Sequence, residues 1–115
     1  MMTTAVDTVP GACSAAEWQA RVELAALFRI LAHHGMSDLA NGAVAARVPD
    51  QPDHYLMHPY GMFWEEATAS AMVKIGPDGQ PVEPDAPWLN DGAQNLCRWI
   101  LGSRPEVMFF VHGHE

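Results

Sequence analysis

Residues 107–111, with the sequence VMFFV, constrain the fold more than any other segment. Every one of them is apolar, so a strand formed here has two apolar faces, as is typical of a central strand covered on both sides. Such a strand needs one layer of structure above it and another below it. At 115 residues the chain can bury one modest core, which predicts a single domain.

A helix that begins after Ser14 is the first candidate for a covering layer. Ser14 followed by Glu17 predicts a capping box, in which each side chain satisfies a free N–H of the first turn. Gly35 suits the left-handed position that follows a helix, and His33 and His34 fall in the last turn, where the helix dipole favours a cation. Between these ends, apolar residues recur at helical spacing: Trp18, Val22, Ala25, Phe28, Leu31 and Ala32.

Residues 1–13 show no such period and are predicted to form a flexible leader, so the folded domain is expected to run from residue 14 to residue 115. Within it, residues 43–48 and 54–58 have β character and flank a turn-forming segment at residues 49–53. Together they predict a hairpin.

A second hairpin and a second helix are predicted further on. Residues 71–75 alternate like a half-buried strand, and residues 77–79 supply a turn before a short return strand at residues 81–82. Asp91 and Gln94 predict the cap of a helix with a narrow apolar stripe, which Gly102 and Pro105 end. This order of elements predicts an α/β fold in which helices pack on a mixed sheet, with few elements left to cover residues 107–111.

The charge balance limits the partners of the chain. Six Lys and Arg residues against fourteen Asp and Glu residues give a formal net charge of −8, which repels phosphate backbones and anionic lipids. The first ten residues lack a basic segment and an apolar segment of the kind that signal peptides carry. Cys13 and Cys97 form no CxxC pair and are interpreted as free thiols. We therefore expect a cytoplasmic protein that binds neither nucleic acid nor membrane.

His112, Gly113 and His114 directly follow the apolar segment and form the clearest candidate for a metal site. In an extended chain residues i and i+2 point to the same face, so both imidazoles can approach one cation. A lone H-x-H pair is also common at a solvated strand end. A zinc site needs three protein ligands when it is catalytic and usually four when it is structural. The less favoured further candidates within the chain are His33, His34, His54, His58 and Glu115.

Several motifs, taken in order, resemble the class II aldolase/adducin family from Arg21 to the last residue. The first helix (RVELAALFRIL, residues 21–31) leads into GMSDL at residues 35–39 and AARVP at residues 45–49. Further on stand HPYGMFWEE at residues 58–66, similar to the N-P-x-G motif of the family, and TASAMVK at residues 68–74. SRPEV at residues 103–107 and VHGH at residues 111–114 complete the resemblance.

The resemblance implies a three-layer αβα fold with a central, largely antiparallel sheet, and assembly into homotetramers. His112 and His114 match the first two zinc ligands of the family, whose third histidine belongs to a later segment that is absent here. In family members that are aldolases, the Zn2+ ion acts as a Lewis acid and stabilises the enediolate that forms when a carbon–carbon bond is cleaved. Tyr60 and Gly61 match a loop that lines the substrate cleft, which makes Tyr60 a candidate proton donor.

Departures from the aldolase pattern narrow the expected chemistry. Ala93 occupies the position of the acid/base glutamate, and Asp91 and Gly92 occupy a serine pair that binds substrate phosphate. The loop at residues 40–45 also lacks the usual phosphate ligands and leaves Asn41, with Gly61, as a candidate substrate-binding residue. We expect a zinc-dependent lyase-type domain for a small unphosphorylated hydroxy-carbonyl or carboxylate substrate, inactive without its third ligand. The alternatives are a non-catalytic scaffold domain, as in the adducin branch, or an incomplete fragment.

Overall fold

Four antiparallel strands with one helix on each face form the part of the chain that the structure, a computed structural model, describes, namely residues 13–114. The predicted leader, apart from Cys13, lies outside these residues, as does Glu115. Helix α1 (Ala15–His33) precedes strands β1 (Ala43–Val48), β2 (Gln51–Met57) and β3 (Val73–Ile75), and helix α2 (Asp91–Ser103) precedes strand β4 (Phe109–His112). The sheet order is β3-β2-β1-β4.

The alternation of side chains along β1 divides the core into two halves. Val44, Ala46 and Val48 join a buried cluster on the α1 side, and Ala43 and Ala45 join another on the α2 side. All six residues of β1 are buried. The predicted three-layer αβα arrangement is therefore confirmed, and every strand pair among the described residues is antiparallel.

The segment predicted to form a buried central strand, residues 107–111, is not central within residues 13–114. Strand β4 lies at the edge of the sheet, where it pairs only with β1 among the described strands. Phe109 is 37% exposed and Val111 is 41% exposed, whereas Val107 and Phe110 pack against the α2 side of the core. The position of a strand in a sheet depends on pairing between distant segments, which an apolar segment by itself does not specify.

Helix α1 begins and ends where Ser14 and Gly35 predict. Ser14 Oγ accepts a hydrogen bond from the Glu17 N–H at 3.0 Å, which confirms the N-cap. At the other end Gly35 has φ +74°, its N–H donates to Ala32 O, and the Met36 N–H donates to Leu31 O, which is the Schellman arrangement. The second half of the predicted capping box is wrong, because the Glu17 carboxylate accepts hydrogen bonds from Arg21 and Lys74 instead.

Other boundaries shift by a few residues for identifiable reasons. The predicted turn at residues 49–53 is shorter, since β2 begins at Gln51 and the extra residues form an irregularity in its register with β1. Asn90 rather than Asp91 caps α2, because its side-chain oxygen accepts from the Ala93 N–H at 3.0 Å. Gly102 lies inside the last turn of α2, which ends at Ser103. The predicted return strand after β3 is reduced to a single bridge between Ile75 and Pro81.

The buried guanidinium of Arg47, in β1, ties three segments together. It donates to Pro52 O at 2.6 Å in β2 and to Val107 O at 2.9 Å ahead of β4. It also donates to two carbonyls at the end of α2, Leu101 O at 2.6 Å and Arg104 O at 3.2 Å. These carbonyls carry the negative end of the helix dipole, so the cation stabilises the helix end as well as joining it to the sheet.

Within residues 13–114, neither helix combines the length and apolar character needed to cross a membrane.

Replacement of Arg47 by lysine is expected to lower the free energy of unfolding by about 3 kcal/mol, because an ammonium group cannot serve four diverging carbonyls and leaves some unpaired. Urea unfolding followed by circular dichroism measures this change. Arg104→Lys is the matched control, since Arg104 has an exposed side chain paired with Glu106, and its effect is expected within about 0.5 kcal/mol. Similar losses in the two variants would contradict the role assigned to Arg47.

Candidate functional site

A cavity of about 280 Å³ lies where β1 begins and where β2 and β4 end. The strand register explains this position, since Ala45 of β1 pairs with Met57 and Ala43 pairs with His112. The lining comes from four segments: residues 40–43, then Met57, His58 and Tyr60, then Asn90, Gly92, Ala93 and Leu96, and finally His112 and His114. The first turn of α2 thus closes the side of the cavity opposite the loop after α1.

Four of the five site residues predicted from the sequence line this cavity: Asn41, Tyr60, His112 and His114. The fifth, Gly61, adjoins Tyr60 with φ +90° and is not part of the lining. The hydroxyl-bearing ring of Tyr60 lies at the mouth, where it is 54% exposed and contacts Trp88 edge-on at 4.7 Å between ring centroids. The structure therefore brings together residues that are far apart in the sequence.

The imidazoles of His112 and His114 are separated as two ligands of one metal ion would be. Their ring centroids are 5.4 Å apart, and the rings are inclined at 85°. With Zn–N bonds of about 2 Å and tetrahedral angles, two ligating imidazoles have centroids roughly 5 Å apart. The observed pair fits this requirement.

Asp38 fixes the orientation of the second imidazole. Its Oδ2 lies 2.9 Å from His114 Nδ1, and the His114 backbone N–H donates to Met36 O in the same loop. The hydrogen bond with His114 holds the pKa of Asp38 below its usual value, and Asn41 adds a smaller effect in the same direction. A carboxylate on Nδ1 leaves Nε2 free to bind a cation, as is usual for metal-binding histidines. Sequence reasoning missed Asp38, which stands 76 residues from His114.

No group of three His, Cys, Asp or Glu side chains arranged to hold a metal occurs in residues 13–114. Of the weaker candidate ligands, His58 lines the cavity, whereas His33, His34 and His54 lie elsewhere. His33 and His34 contact each other at the end of α1, and His54 pairs with Asp53 at 2.7 Å. Glu115 lies outside the described residues. For a metal ion, the described part of the site therefore supplies the paired imidazoles of His112 and His114 and the carboxylate that orients His114.

Gly42 allows the chain to pass close to the end of β4. It has φ +90°, and a Cβ atom there would lie 2.7 Å from His112 O and 2.8 Å from the ring of Trp64. Any other residue would force the loop or the strand end to move. Gly42 thus sets the spacing between the loop after α1 and the histidine pair.

Two of the three positions at which the sequence departs from the aldolase pattern at the start of α2 line the cavity. Ala93 lines the cavity at the start of α2, so a methyl group stands where the resemblance implies a glutamate. Gly92 also lines it, but Asp91 is exposed and does not belong to the lining. Among the lining residues of the described chain there is no lysine or arginine, so an anionic group would find no cationic side chain on this wall.

His58 is the most deeply buried polar residue of the cavity, with 6% exposure. Its ring packs edge-on against Phe28, with the centroids 4.8 Å apart, and its Nδ1 has no hydrogen-bond partner among the described residues. Burial lowers the pKa of His58 from 6.5 to about 4, so the imidazole is neutral at pH 7. In the sequence His58 stands out only as a less favoured metal ligand, since nothing local signals its burial.

Comparison with known proteins gives a consistent result. The family described as Class II Aldolase and Adducin N-terminal domain matches residues 22–115. A Caulobacter vibrioides protein named for the aldolase class 2 group is 36% identical over 108 residues, which cover 94% of this chain and 42% of that protein. Gamma-adducin from Rattus norvegicus is 32% identical over 119 residues, which cover 98% of this chain and 17% of that protein.

The crystal structure of an aldolase II superfamily protein from Pseudomonas syringae superimposes with a TM-score of 0.84 at 31% identity. The match covers 90% of this chain and 42% of that one. The chain therefore spans less than half the length of each of these three relatives.

Burial of His58 predicts a loss of stability in mild acid. Because its folded-state pKa of about 4 lies below the ordinary 6.5, the unfolded chain takes up the proton first. The contribution of the neutral ring is complete above the ordinary pKa and is lost as the pH falls toward the folded-state value. Between pH 7 and pH 5 the free energy of unfolding is expected to fall by about 2 kcal/mol, measured by urea unfolding at each pH.

The His58→Asn variant is the control for this pH effect, because an amide does not titrate. It is expected to lose most of the dependence between pH 5 and pH 7, and equal slopes in the two proteins would show that another group is responsible.

Proposed function

Because the chain belongs to the class II aldolase and adducin N-terminal domain family, we propose that it contributes two ligands to the metal centre of a zinc-dependent lyase-type enzyme. The observation that carries the proposal is the pair His112 and His114, with ring centroids 5.4 Å apart in one cavity. Class II aldolases in general depend on a divalent metal. The third ligand comes from outside residues 13–114.

Each residue of the site has a separate task in this proposal. A zinc ion held by His112 and His114 would supply Lewis-acid chemistry, which polarises a substrate carbonyl. Asp38 keeps the His114 ring oriented and raises the basicity of its free nitrogen. Asn41 binds a substrate oxygen, and Tyr60 donates a proton or hydrogen bond at the mouth of the cavity. Gly61, which does not line the cavity, shapes the loop that presents Tyr60.

The substrate we propose is a small hydroxy-carbonyl compound or carboxylate without a phosphate group. The volume of about 280 Å³ suits a ligand of a few carbon atoms. The described lining has no lysine or arginine to neutralise a phosphate, and its polar side chains outside the histidine pair are Asn41, His58, Tyr60 and Asn90. The carbonyl or carboxylate end of the substrate is the part that a metal at the histidine pair would bind.

A non-catalytic scaffold domain is the second candidate, and Ala93 favours it. An alanine at the start of α2 cannot transfer protons, and the chain is 32% identical to gamma-adducin. In this case the cavity is a remnant, and the domain acts through self-association. Large exposed side chains such as Leu39, Trp88 and Trp99 offer apolar area for contact between copies, so we propose a homo-oligomer under both candidates.

We also propose that the protein works in the cytoplasm. Cys13 and Cys97 are both free thiols, as expected in a reducing compartment. Burial raises the pKa of the Cys97 thiol to about 12, so it is a packing residue and not a nucleophile.

Zinc binding to the protein purified from its source cells tests the enzyme proposal. We expect one zinc ion per chain by inductively coupled plasma mass spectrometry, and loss of that zinc in His112→Ala and in His114→Ala. Asp38→Asn is expected to retain the site with an affinity lower by about 10- to 100-fold, measured by competition with a chelating dye. His33→Ala, altered at a histidine outside the cavity, is the control and should bind zinc normally. A protein that retains no divalent metal would refute the proposal.

The effect of metal removal on the oligomeric state distinguishes the zinc-dependent enzyme from the non-catalytic scaffold. Light scattering after size-exclusion chromatography gives the oligomeric mass before and after treatment with a strong chelator. A scaffold keeps its mass after chelation and turns over none of the hydroxy-carbonyl or carboxylate compounds. Metal-dependent turnover of any of them would exclude the scaffold candidate.

A further inference from the structure

His58 is a buried imidazole for which the proposed metal chemistry has no use. It lines the cavity, it is 6% exposed, and its Nδ1 lacks a hydrogen-bond partner among the described residues. A buried polar atom without a partner lowers the stability of the folded protein. Nδ1 is itself enclosed by the protein, so a molecule in the cavity can reach only the other ring nitrogen, Nε2.

The strand register separates His58 from the histidine pair. His58 follows Met57, which pairs with Ala45 on one side of β1, whereas His112 pairs with Ala43 on the other side. Two strand spacings of about 4.8 Å place the β2 and β4 backbones roughly 10 Å apart. His58 and His112 thus approach the cavity from opposite sides. A small molecule long enough to span this distance can contact both the histidine pair and His58.

The packing around His58 holds its ring in place. Phe28 contacts the imidazole edge-on at 4.8 Å, and Trp64 contacts Phe28 in turn at 5.3 Å, both measured between ring centroids. Phe28 and Trp64 are fully buried. Pro59 restricts the backbone of His58 to extended conformations. A ring fixed in this way presents its nitrogens at a defined position before any ligand arrives.

We propose that His58 is a substrate-positioning residue, whose imidazole hydrogen-bonds a hydroxyl or carbonyl oxygen at the substrate end remote from the histidine pair. This inference rests on the proposed function and adds a specificity determinant to it. The Nε2 of an uncharged imidazole is either a donor or an acceptor, and a hydroxyl group can partner either form. It has no positive charge for a phosphate, in agreement with a described lining that lacks lysine and arginine.

Two substitutions test the role of His58. His58→Leu removes both ring nitrogens with little change in size, and His58→Asn keeps a hydrogen-bonding group on a shorter side chain. Dihydroxyacetone serves as the probe, and dihydroxyacetone phosphate as its charged counterpart, with binding to the zinc-loaded protein measured by calorimetry. Zinc affinity of each variant is measured in parallel.

We expect His58→Leu to bind dihydroxyacetone at least about tenfold more weakly than the unchanged protein does. The affinity of His58→Asn should lie between those two. Both variants should bind zinc as tightly as the unchanged protein. His58→Leu should also melt at a higher temperature without ligand, because it no longer buries an unpaired nitrogen. The unchanged protein should prefer dihydroxyacetone to its phosphate.

If His58→Leu does not fold, the imidazole of His58 can be observed directly in the unchanged protein. The ring-nitrogen chemical shifts of His58 in the unchanged protein, measured by NMR, should move when dihydroxyacetone is added. Shifts that stay constant while the probe binds would overturn the inference, as would equal probe affinity in His58→Leu. A protein that binds zinc but not the probe also overturns it, whereas failure to bind zinc overturns the proposed function itself.

Discussion

The hydrogen bonds of the Arg47 guanidinium determine where the functional end of the molecule lies. They fix the last turn of α2 against β1, β2 and the segment before β4. A helix of 13 residues is about 20 Å long, so fixing one end leaves little choice for the other. That other end carries Asn90, Gly92 and Ala93 to the cavity. The wall of the site is thus positioned by a cation at the opposite end of the same helix.

The candidate metal site depends on the contact between the loop after α1 and the residues at the end of β4. The Schellman turn at Gly35 directs the chain out of α1, so that Met36 and Asp38 can accept hydrogen bonds from the backbone and ring of His114. Both sides of this contact are held by backbone geometry as well as by side chains. A rigid support of this kind is what a metal centre needs, because ligand positions must be set before the ion binds.

The sequence predicted those features that local chemistry determines. Ser14 and Gly35 gave both ends of α1, the β1 boundaries were correct, and the ordered motifs gave the layers of the fold. Features that depend on distant pairing were not predicted: the pairing of β4 with β1, the bond from Asp38 to His114, and the burial of His58. Asp91 and Asn90 are equally good capping residues, so only the folded helix distinguishes them. Glu17 does not complete the capping box, because its carboxylate forms ion pairs with Arg21 and Lys74 instead.

The close approach of Gly42 to His112 and Trp64 limits how the site can change during evolution. A side chain there would meet the carbonyl of His112 and the Trp64 ring, so this position has no freedom to vary. Its neighbours Ala40 and Asn41 also line the cavity, and neither of them pairs with β4. Mutation at these two positions can change the cavity lining while the histidine pair stays where it is. New substrate preferences are thus accessible by single substitutions beside a glycine that has to stay.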